Sequence, residues 1–361
     1  MKFVKNILLS VLMGATVVTV VLTILVAYSD RVNPSDHQLL ACAGMAFPFF
    51  LLVCLLLLVV WLVVSWRRSW VVLLGLLLIY PAIRTYIPLH LSTAVPEGSI
   101  KVLSYNVAGY TMVKKHAHPQ DTIIGYLKQQ DADIVCLQES FNAQAKTEQA
   151  LAAMYPYNDT VHVNRPTNPL INCVGIHSHY PIVRKERIAY KSVANGSVAF
   201  FLQIGEDTVI VVNNHLESTH LSSDDRLRYQ EMIGGGYDRE QTRKETRKLL
   251  DKLGVAMALR APQAQAVHNF IESHRQYPII VCGDFNDTPI SYTRRTIAEG
   301  LTDCFVESGN GLGISFNQEG FYFRIDHILC SSHYKPYGCM VDNKMDASDH
   351  YPISCWLQKT N

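Results

Sequence analysis

Between Ile7 and Tyr28, and again between Leu39 and Val64, the chain carries no charged side chain. Both runs are long enough to cross a bilayer as helices, since a helix rises about 1.5 Å per residue and the hydrocarbon core is roughly 30 Å thick. Inside lipid every backbone N–H and C=O must be satisfied within its own segment, which leaves such runs little choice but helix. A third run, Trp70 to Ile83, is shorter and meets Arg84; with Tyr86-Ile87-Pro88-Leu89 it is expected to cross tilted, the arginine snorkelling to the interface. Residues 1–90 therefore read as a helical transmembrane region with spans at about 7–28, 39–64 and 70–89.

Lys2 and Lys5 ahead of the first run also fit a cleaved signal peptide, but no clear small-residue cleavage site follows, and the second run argues for an anchor. Basic residues flank the start and recur at Arg67 and Arg68, whereas the loop after the first span holds Asp30, Arg31 and Asp36. The positive-inside rule then puts the N-terminus and the Trp66-Arg67-Arg68 turn in the cytoplasm. Three spans predict an integral protein of the inner or plasma membrane whose remaining chain faces the extracytoplasmic side. If the third run lies only at the interface, that chain faces the cytoplasm.

Beyond Ser92-Thr93-Ala94-Val95-Pro96-Glu97-Gly98, a short linker, residues 98–361 alternate strand-like and helix-like runs. The first 90 residues hold six Lys+Arg and two Asp+Glu of a whole-chain 32 and 31, so 26 and 29 lie beyond, a formal −3. A domain that lived on non-specific duplex binding would be basic, because phosphate contacts supply that affinity. Cys136 and Cys282 fall inside apolar strand patterns and read as small buried hydrophobes; no Cys-x-x-Cys occurs.

Polar residues interrupt or end these strand-like runs in a way that isolated turns and caps do not explain. Asn106 follows Val102-Leu103-Ser104-Tyr105, Gln138 and Glu139 follow Ile134-Val135-Cys136-Leu137, and Asn213-Asn214-His215 close Val209-Ile210-Val211-Val212. Gly283-Asp284-Phe285-Asn286 follows Ile279-Ile280-Val281-Cys282; Ile325-Asp326-His327 and Ser348-Asp349-His350 come after. Carboxylates such as Glu139, Asp284 and Asp349 are hard oxygen ligands suited to Mg²⁺ or Mn²⁺ rather than a zinc cage. An imidazole held by a carboxylate, His350 by Asp326, suits acid–base work on water or phosphate.

In this order the six segments, from Ser104-Tyr105-Asn106-Val107 to Ser348-Asp349-His350, resemble the motifs of the endonuclease/exonuclease/phosphatase superfamily. The resemblance implies a four-layer α/β/β/α sandwich of two stacked mixed β-sheets and a divalent-metal-dependent phosphoesterase. It further implies that Glu139 binds the principal Mg²⁺ or Mn²⁺, supported by Asn106, with Asp349 completing the metal environment. Asp284 and Asn286 would position the attacking water and scissile phosphate, His215 would contact the phosphate oxygens, and His350, held by Asp326, would act on water or phosphate. One departure matters: some nuclease members carry an acid two residues after the asparagine, where this chain has Ala108. The substrate is left among nucleic acid, phospholipid headgroup and small phosphoester, with the bilayer as a second partner and no protein partner implied. A non-catalytic membrane scaffold that keeps the fold is the alternative.

Several local expectations accompany this. His177, Ser178 and His179, between extended segments, read as a loop or as exposed histidines, with a ligand role the alternative. Arg260 and Gln263 are expected to start the helix before the Gly283-Asp284 strand, Arg260 facing phosphate, capping or packing. Arg243, Lys244, Arg247, Lys248 and Lys252 gather on one helix side, as a solvated face or a cationic surface.

Overall fold

The computed structural model describes residues 2–111, 117–163, 172–192, 194–219, 221–318 and 320–360. The apolar N-terminal region comprises helix α1 (Lys2–Ala27), the short α2 (Gln38–Ala41), α3 (Phe47–Ser65), α4 (Trp70–Leu78) and α5 (Tyr80–Tyr86). Segments Phe3–Arg31 and Gln38–Arg68 are each long and apolar enough to cross a membrane. The third run differs from one continuous span: it breaks at Ile79 (φ −97°, ψ 8°), and Pro81 opens α5. The proline ring has no N–H to give and crowds the carbonyl four residues back, so the helix restarts there. Small or β-branched side chains fit the helices together, the Val20 side chain lying against Gly75, while Leu52, Val63 and Leu77 point outward and stay exposed. An outward-facing apolar band of this kind is what lipid covers.

After the coil that leaves α5, the strands form two six-stranded sheets. The first runs β13 (Tyr334–Val341), β14 (Ile353–Lys359), β1 (Ile100–Asn106), β2 (Ile134–Gln138), β4 (Cys173–Ser178), β3 (Tyr157–His162). The second runs β5 (Ile182–Ile188), β6 (Gly196–Ile204), β7 (Asp207–His215), β8 (Ile279–Asp284), β12 (Asp326–Cys330), β9 (Thr302–Asp303). A small hairpin, β10 (Phe316–Gln318) and β11 (Phe321–Phe323), stands apart. Each large sheet is antiparallel except for one central parallel pair, β1 with β2 and β7 with β8. Helices α6 (Pro119–Gln130) and α7 (Ala145–Met154) cover the first sheet. The long α9 (Arg239–Ser273), preceded by α8 (Ser223–Ile233), covers the second with α10 (Tyr292–Ile297), and α11 (Cys304–Ser308) closes one edge.

The two-residue period of the strands builds these layers. Val102, Cys136, Phe200, Val211, Cys282 and Ile328 enter the core between the sheets. Their neighbours go outward: Leu103 and Val135 meet Ile123 and Leu127 of α6, and Val212 and Val281 meet Ala264, Val267 and Ile271 of α9. The result is the four-layer α/β/β/α sandwich expected from the resemblance. Polar side chains buried in the middle are paired across the sheets: Gln138 Nε2 donates to Asn213 Oδ1 at 2.6 Å and to Ser104 Oγ at 3.1 Å. Asn213 Nδ2 donates to the Gly175 carbonyl at 2.8 Å. Leaving one such amide unsatisfied would cost about 1–3 kcal/mol, so these residues bolt the sheets in one register.

Two local expectations are corrected. His177 is not in a loop but within β4, buried, because β4 extends through Ser178 to pair with Ile134 and Val135 of β2. Arg260 and Gln263 do not begin a helix: α9 runs unbroken through Pro262, and both side chains are buried. The apolar N-terminal region also packs on the sandwich. Ala41 and Cys42, between the first two apolar helices, share a cluster with Leu253 and Met257 of α9, and a Cβ on Gly44 would lie 2.1 Å from the Ile290 carbonyl oxygen. The linker is held too, with the His90 N–H donating to Asn310 Oδ1 at 2.6 Å and the Gly311 N–H to the Pro88 carbonyl at 2.9 Å.

Candidate active site

Both parallel pairs end at the same rim, and the polar motifs sit on those ends. Asn106 stands opposite Gln138 at the end of β1 and β2, and His215 stands opposite Asp284 at the end of β7 and β8. Asp326, first residue of β12, pairs in register with Asp284. The close approach needs Gly283: its φ is 125°, and a Cβ there would lie 2.0 Å from the Asn214 carbonyl oxygen. Glu139 and Asn286 take positive φ values of 56° and 52°, an uncommon state for residues with side chains. Glu139 is clamped in it by its N–H donating to the Cys173 carbonyl at 3.0 Å and its carbonyl accepting from Gly109 N–H at 2.9 Å. Strain held by surrounding bonds is typical of functional rims.

The side chains converge. Asn106 Nδ2 donates to both Glu139 Oε1 and Asp284 Oδ2, each at 3.1 Å. Asn286 donates to Asp284 through its backbone N–H at 2.8 Å and through Nδ2 at 3.2 Å. His350 Nδ1 lies 2.8 Å from Asp326 Oδ2, and its Nε2 lies 3.7 Å from Asp284 Oδ2. His215 Nε2 faces Glu139 at 3.5 Å and Asp284 at 3.8 Å, while Asn172 Nδ2 donates to its Nδ1 at 3.2 Å. With Nδ1 accepting, the proton of a neutral His215 ring sits on Nε2, toward the carboxylates.

Burial and charge set the protonation. Burial pushes Asp284 up to about 6, with His350 opposing and Asp326 reinforcing. Glu139 is also raised, by burial first; the Asn106 amide opposes this and Asp349 adds to it. Burial would lower His350, but Asp326 and then Asp284 overcome it and hold the ring up to about 10. His215 is lowered, chiefly by burial. At neutral pH the rim thus carries an imidazolium at His350 and a neutral imidazole at His215.

A cavity of about 450 Å³ opens onto this rim and is lined by Glu139, His215, Asp284, Asn286, Asp349 and His350 among others. Donor atoms of Asp284, Asp326 and His350 fall within 4.8 Å of one another. That trio is better described as a hydrogen-bonded relay, because the His350 imidazolium donates Nδ1–H to Asp326 and, with both ring nitrogens protonated, offers a cation no lone pair. The carboxylates of Glu139, Asp284, Asp326 and Asp349 outnumber the single buried imidazolium, and an oxygen-rich site with surplus negative charge fits Mg²⁺ or Mn²⁺.

The eight residues singled out in the sequence all lie at this rim. Asp349 stands farther from the tight group, lining the cavity with its carboxylate near enough to raise Glu139. Asn106, expected to support a metal, presents its amide nitrogen to both carboxylates and its oxygen to the Ala108 N–H at 3.0 Å, so here it spaces Glu139 from Asp284. Sequence reasoning missed Asn172, which sits in no motif. It also undervalued Arg260, wholly buried, with Nε on Asp287 at 3.2 Å and Nη1 on the Glu217 carbonyl at 2.9 Å. A basic residue beside a proline in an otherwise apolar helical stretch was the available signal. Gly309 to Gly313 hold the linker and do not line this cavity.

Comparison with known proteins agrees with the geometry. No curated protein matches. Residues 8–86 match a domain of unknown function (DUF8431). Among solved structures, sphingomyelinase C from Streptomyces griseocarneus is 20% identical with a TM-score of 0.51, covering 72% of this chain and 99% of that one. The human nocturnin catalytic domain with bound sulfate is 16% identical, TM-score 0.52, covering 74% and 97%. D. rerio TDP2 complexed with a single-strand DNA product is 14% identical, TM-score 0.51, covering 73% and 100%. At these identities the likeness concerns the fold alone. Residues 103–350, bounding every motif and every rim side chain described above, match the endonuclease/exonuclease/phosphatase family model, and the chain belongs to that family.

Proposed function

We propose that this protein is a membrane-anchored, Mg²⁺- or Mn²⁺-dependent phosphoesterase. The observation that carries the reading is the meeting of Glu139, His215, Asp284 and the His350–Asp326 pair, from segments far apart in the chain, around one cavity. Glu139 and Asp349 would hold the cation, with Asn106 keeping Glu139 and Asp284 apart. When bound, the cation supplies charge neutralisation to the phosphate and lowers the cost of the developing negative charge.

The chain's own groups do the rest. Asp284, which burial raises to about 6, takes a proton from the attacking water. Asn286 holds Asp284 in place. His350, kept as imidazolium by Asp326, and the Nε2–H of His215 face the phosphate oxygens and stabilise the transition state. Water adds to phosphorus as one P–O ester bond breaks; the departing oxygen takes a proton from the His350 imidazolium and leaves as an alcohol, and the proton held on Asp284 restores His350.

Sidedness follows from the anchors. The loop after the first apolar helix and the coil after α5 both pack on the sandwich, which suits a domain on the face opposite the Arg67-Arg68 turn. By the positive-inside rule that is the extracytoplasmic face of the inner or plasma membrane. The test is hydrolysis of a soluble phosphodiester by the full-length chain with Mg²⁺ or Mn²⁺, lost on chelation, restored by either ion and abolished by Glu139→Ala or Asp284→Ala. Absence of hydrolysis across nucleic acids, phospholipids and sugar phosphates would leave a scaffold instead.

A further inference from the structure

The cavity that holds the catalytic rim is also walled by apolar side chains, among them Met45, Leu249, Leu253, Met257, Phe316 and Phe321, with Ser218, Thr219, Arg226 and Thr288 as polar lining. Walls of this kind suit a ligand with hydrocarbon to bury, at about 25 cal/mol for each Å² of apolar surface taken from water. The walls have two sources. One is α9 and the β10–β11 hairpin of the sandwich. The other is the membrane region itself: Cys42, Met45 and Ala46 immediately precede α3, which starts at Phe47 and enters the apolar band. Cys42 is buried against Met257, Sγ to Sδ 3.7 Å. The catalytic groups and the segment that leads into a membrane helix therefore line one chamber.

A polar point lies among these walls. Arg260 is fully buried and lines the chamber, and among the described residues its Nη2 has no hydrogen-bond partner. A buried guanidinium N–H without a partner is costly, and an ester or phosphate oxygen arriving with the ligand would satisfy it. Charge disfavours a polynucleotide here, because the chain beyond residue 90 is formally −3. Lys248 and Lys252 on α9 are already paired with Glu245 and Asp225, each at 2.6 Å, which removes part of the cationic face a strand would use.

Resting on the phosphoesterase reading above, we propose that the substrate is a membrane phospholipid. Its phosphate lies at the Glu139–Asp284–His350 end, its hydrocarbon lies in the chamber between Met45, Leu249 and Phe321, and Arg260 Nη2 binds an oxygen of the lipid. The inter-span loop thus serves as a wall of the binding site as well as an anchor.

The experiment compares two phosphodiesters with the same headgroup, a long-chain phospholipid in vesicles and its short-chain soluble analogue, using the purified full-length chain with Mg²⁺. A single-stranded oligonucleotide forms the third arm. The wild type should prefer the long-chain substrate by at least about tenfold in kcat/KM, and Met45→Gln or Leu249→Gln should each reduce that preference about tenfold. The wild-type chain-length comparison stands without either variant if one of them fails to fold. Equal rates on both lipids, a preference unmoved in folded variants, or faster cleavage of the oligonucleotide would overturn the proposal while leaving the phosphoesterase reading intact. Hydrolysis of none of the three would overturn that reading itself.

Discussion

Asp326→Asn replaces a carboxylate by an amide of nearly the same shape, at a position where Oδ2 lies 2.8 Å from His350 Nδ1. Burial by itself favours the neutral ring; Asp326, and after it Asp284, raise it to about 10. Without the larger of these opposing charges, burial should bring the ring down to its ordinary 6.5 or below. At about 1.36 kcal/mol per pH unit, that fall corresponds to roughly 5 kcal/mol of lost preference for the imidazolium. At about pH 8 the wild-type ring is almost wholly charged and the variant ring almost wholly neutral, so a transition state stabilised by that charge should form about 10²- to 10⁴-fold more slowly. The assay is kcat/KM on a soluble phosphodiester from about pH 5 to pH 10, alongside ¹⁵N-histidine NMR of the ring. Wild-type activity should persist through the alkaline range, whereas the residual activity of the variant should fall with a midpoint at or below about 6.5. A variant that keeps the wild-type profile, with His350 still protonated at about pH 8, would refute the reasoning.

Three further outcomes are expected. His177 and His327 are buried and lowered to about 4, burial being the first cause in each. From the unfolded value of about 6.5 down to about 4 the unfolded chain takes up protons that the folded chain refuses, so stability is undiminished above 6.5, falls through that window by up to about 3 kcal/mol per histidine, and levels off below it; thermal melts that do not move between those pH values would contradict this. Gly283→Ala places a methyl 2.0 Å from the Asn214 carbonyl oxygen at a φ of 125°, which no small shift relieves. Several kcal/mol of destabilisation should follow, about 3–5, and a melting temperature within a degree or two of wild type would show that β7 and β8 can separate freely. A reporter fused after Asn361 that is active only outside the cytoplasm should be active, and labelling of the fusion from the cytoplasmic side alone would reverse the assigned topology.

The helical nature of the first two apolar runs was legible because lipid-length stretches without charge leave few backbone options. The rim residues at strand ends were legible for a related reason: an amide, acid or imidazole ending a β-branched run must find a partner, and Asn106, Glu139, His215 and Asp284 do. The placement of His177 was not, because a polar residue at the end of a strand looks the same whether the strand stops before it or continues through it. Nor was the break at Ile79 read from the sequence, although Pro81 two residues on marked it.

What local pattern determined is therefore which segments become helix or strand and which chemistry waits at their ends, since period and burial cost act within a few residues. Only the tertiary structure decided that Asn172 orients His215 and that Arg260 is buried beside a chamber walled in part by Met45. Those contacts join segments whose separation along the chain carries no signal, and they form only when sheet register and the docking of the loop between the first two apolar helices bring them within hydrogen-bond or van der Waals reach.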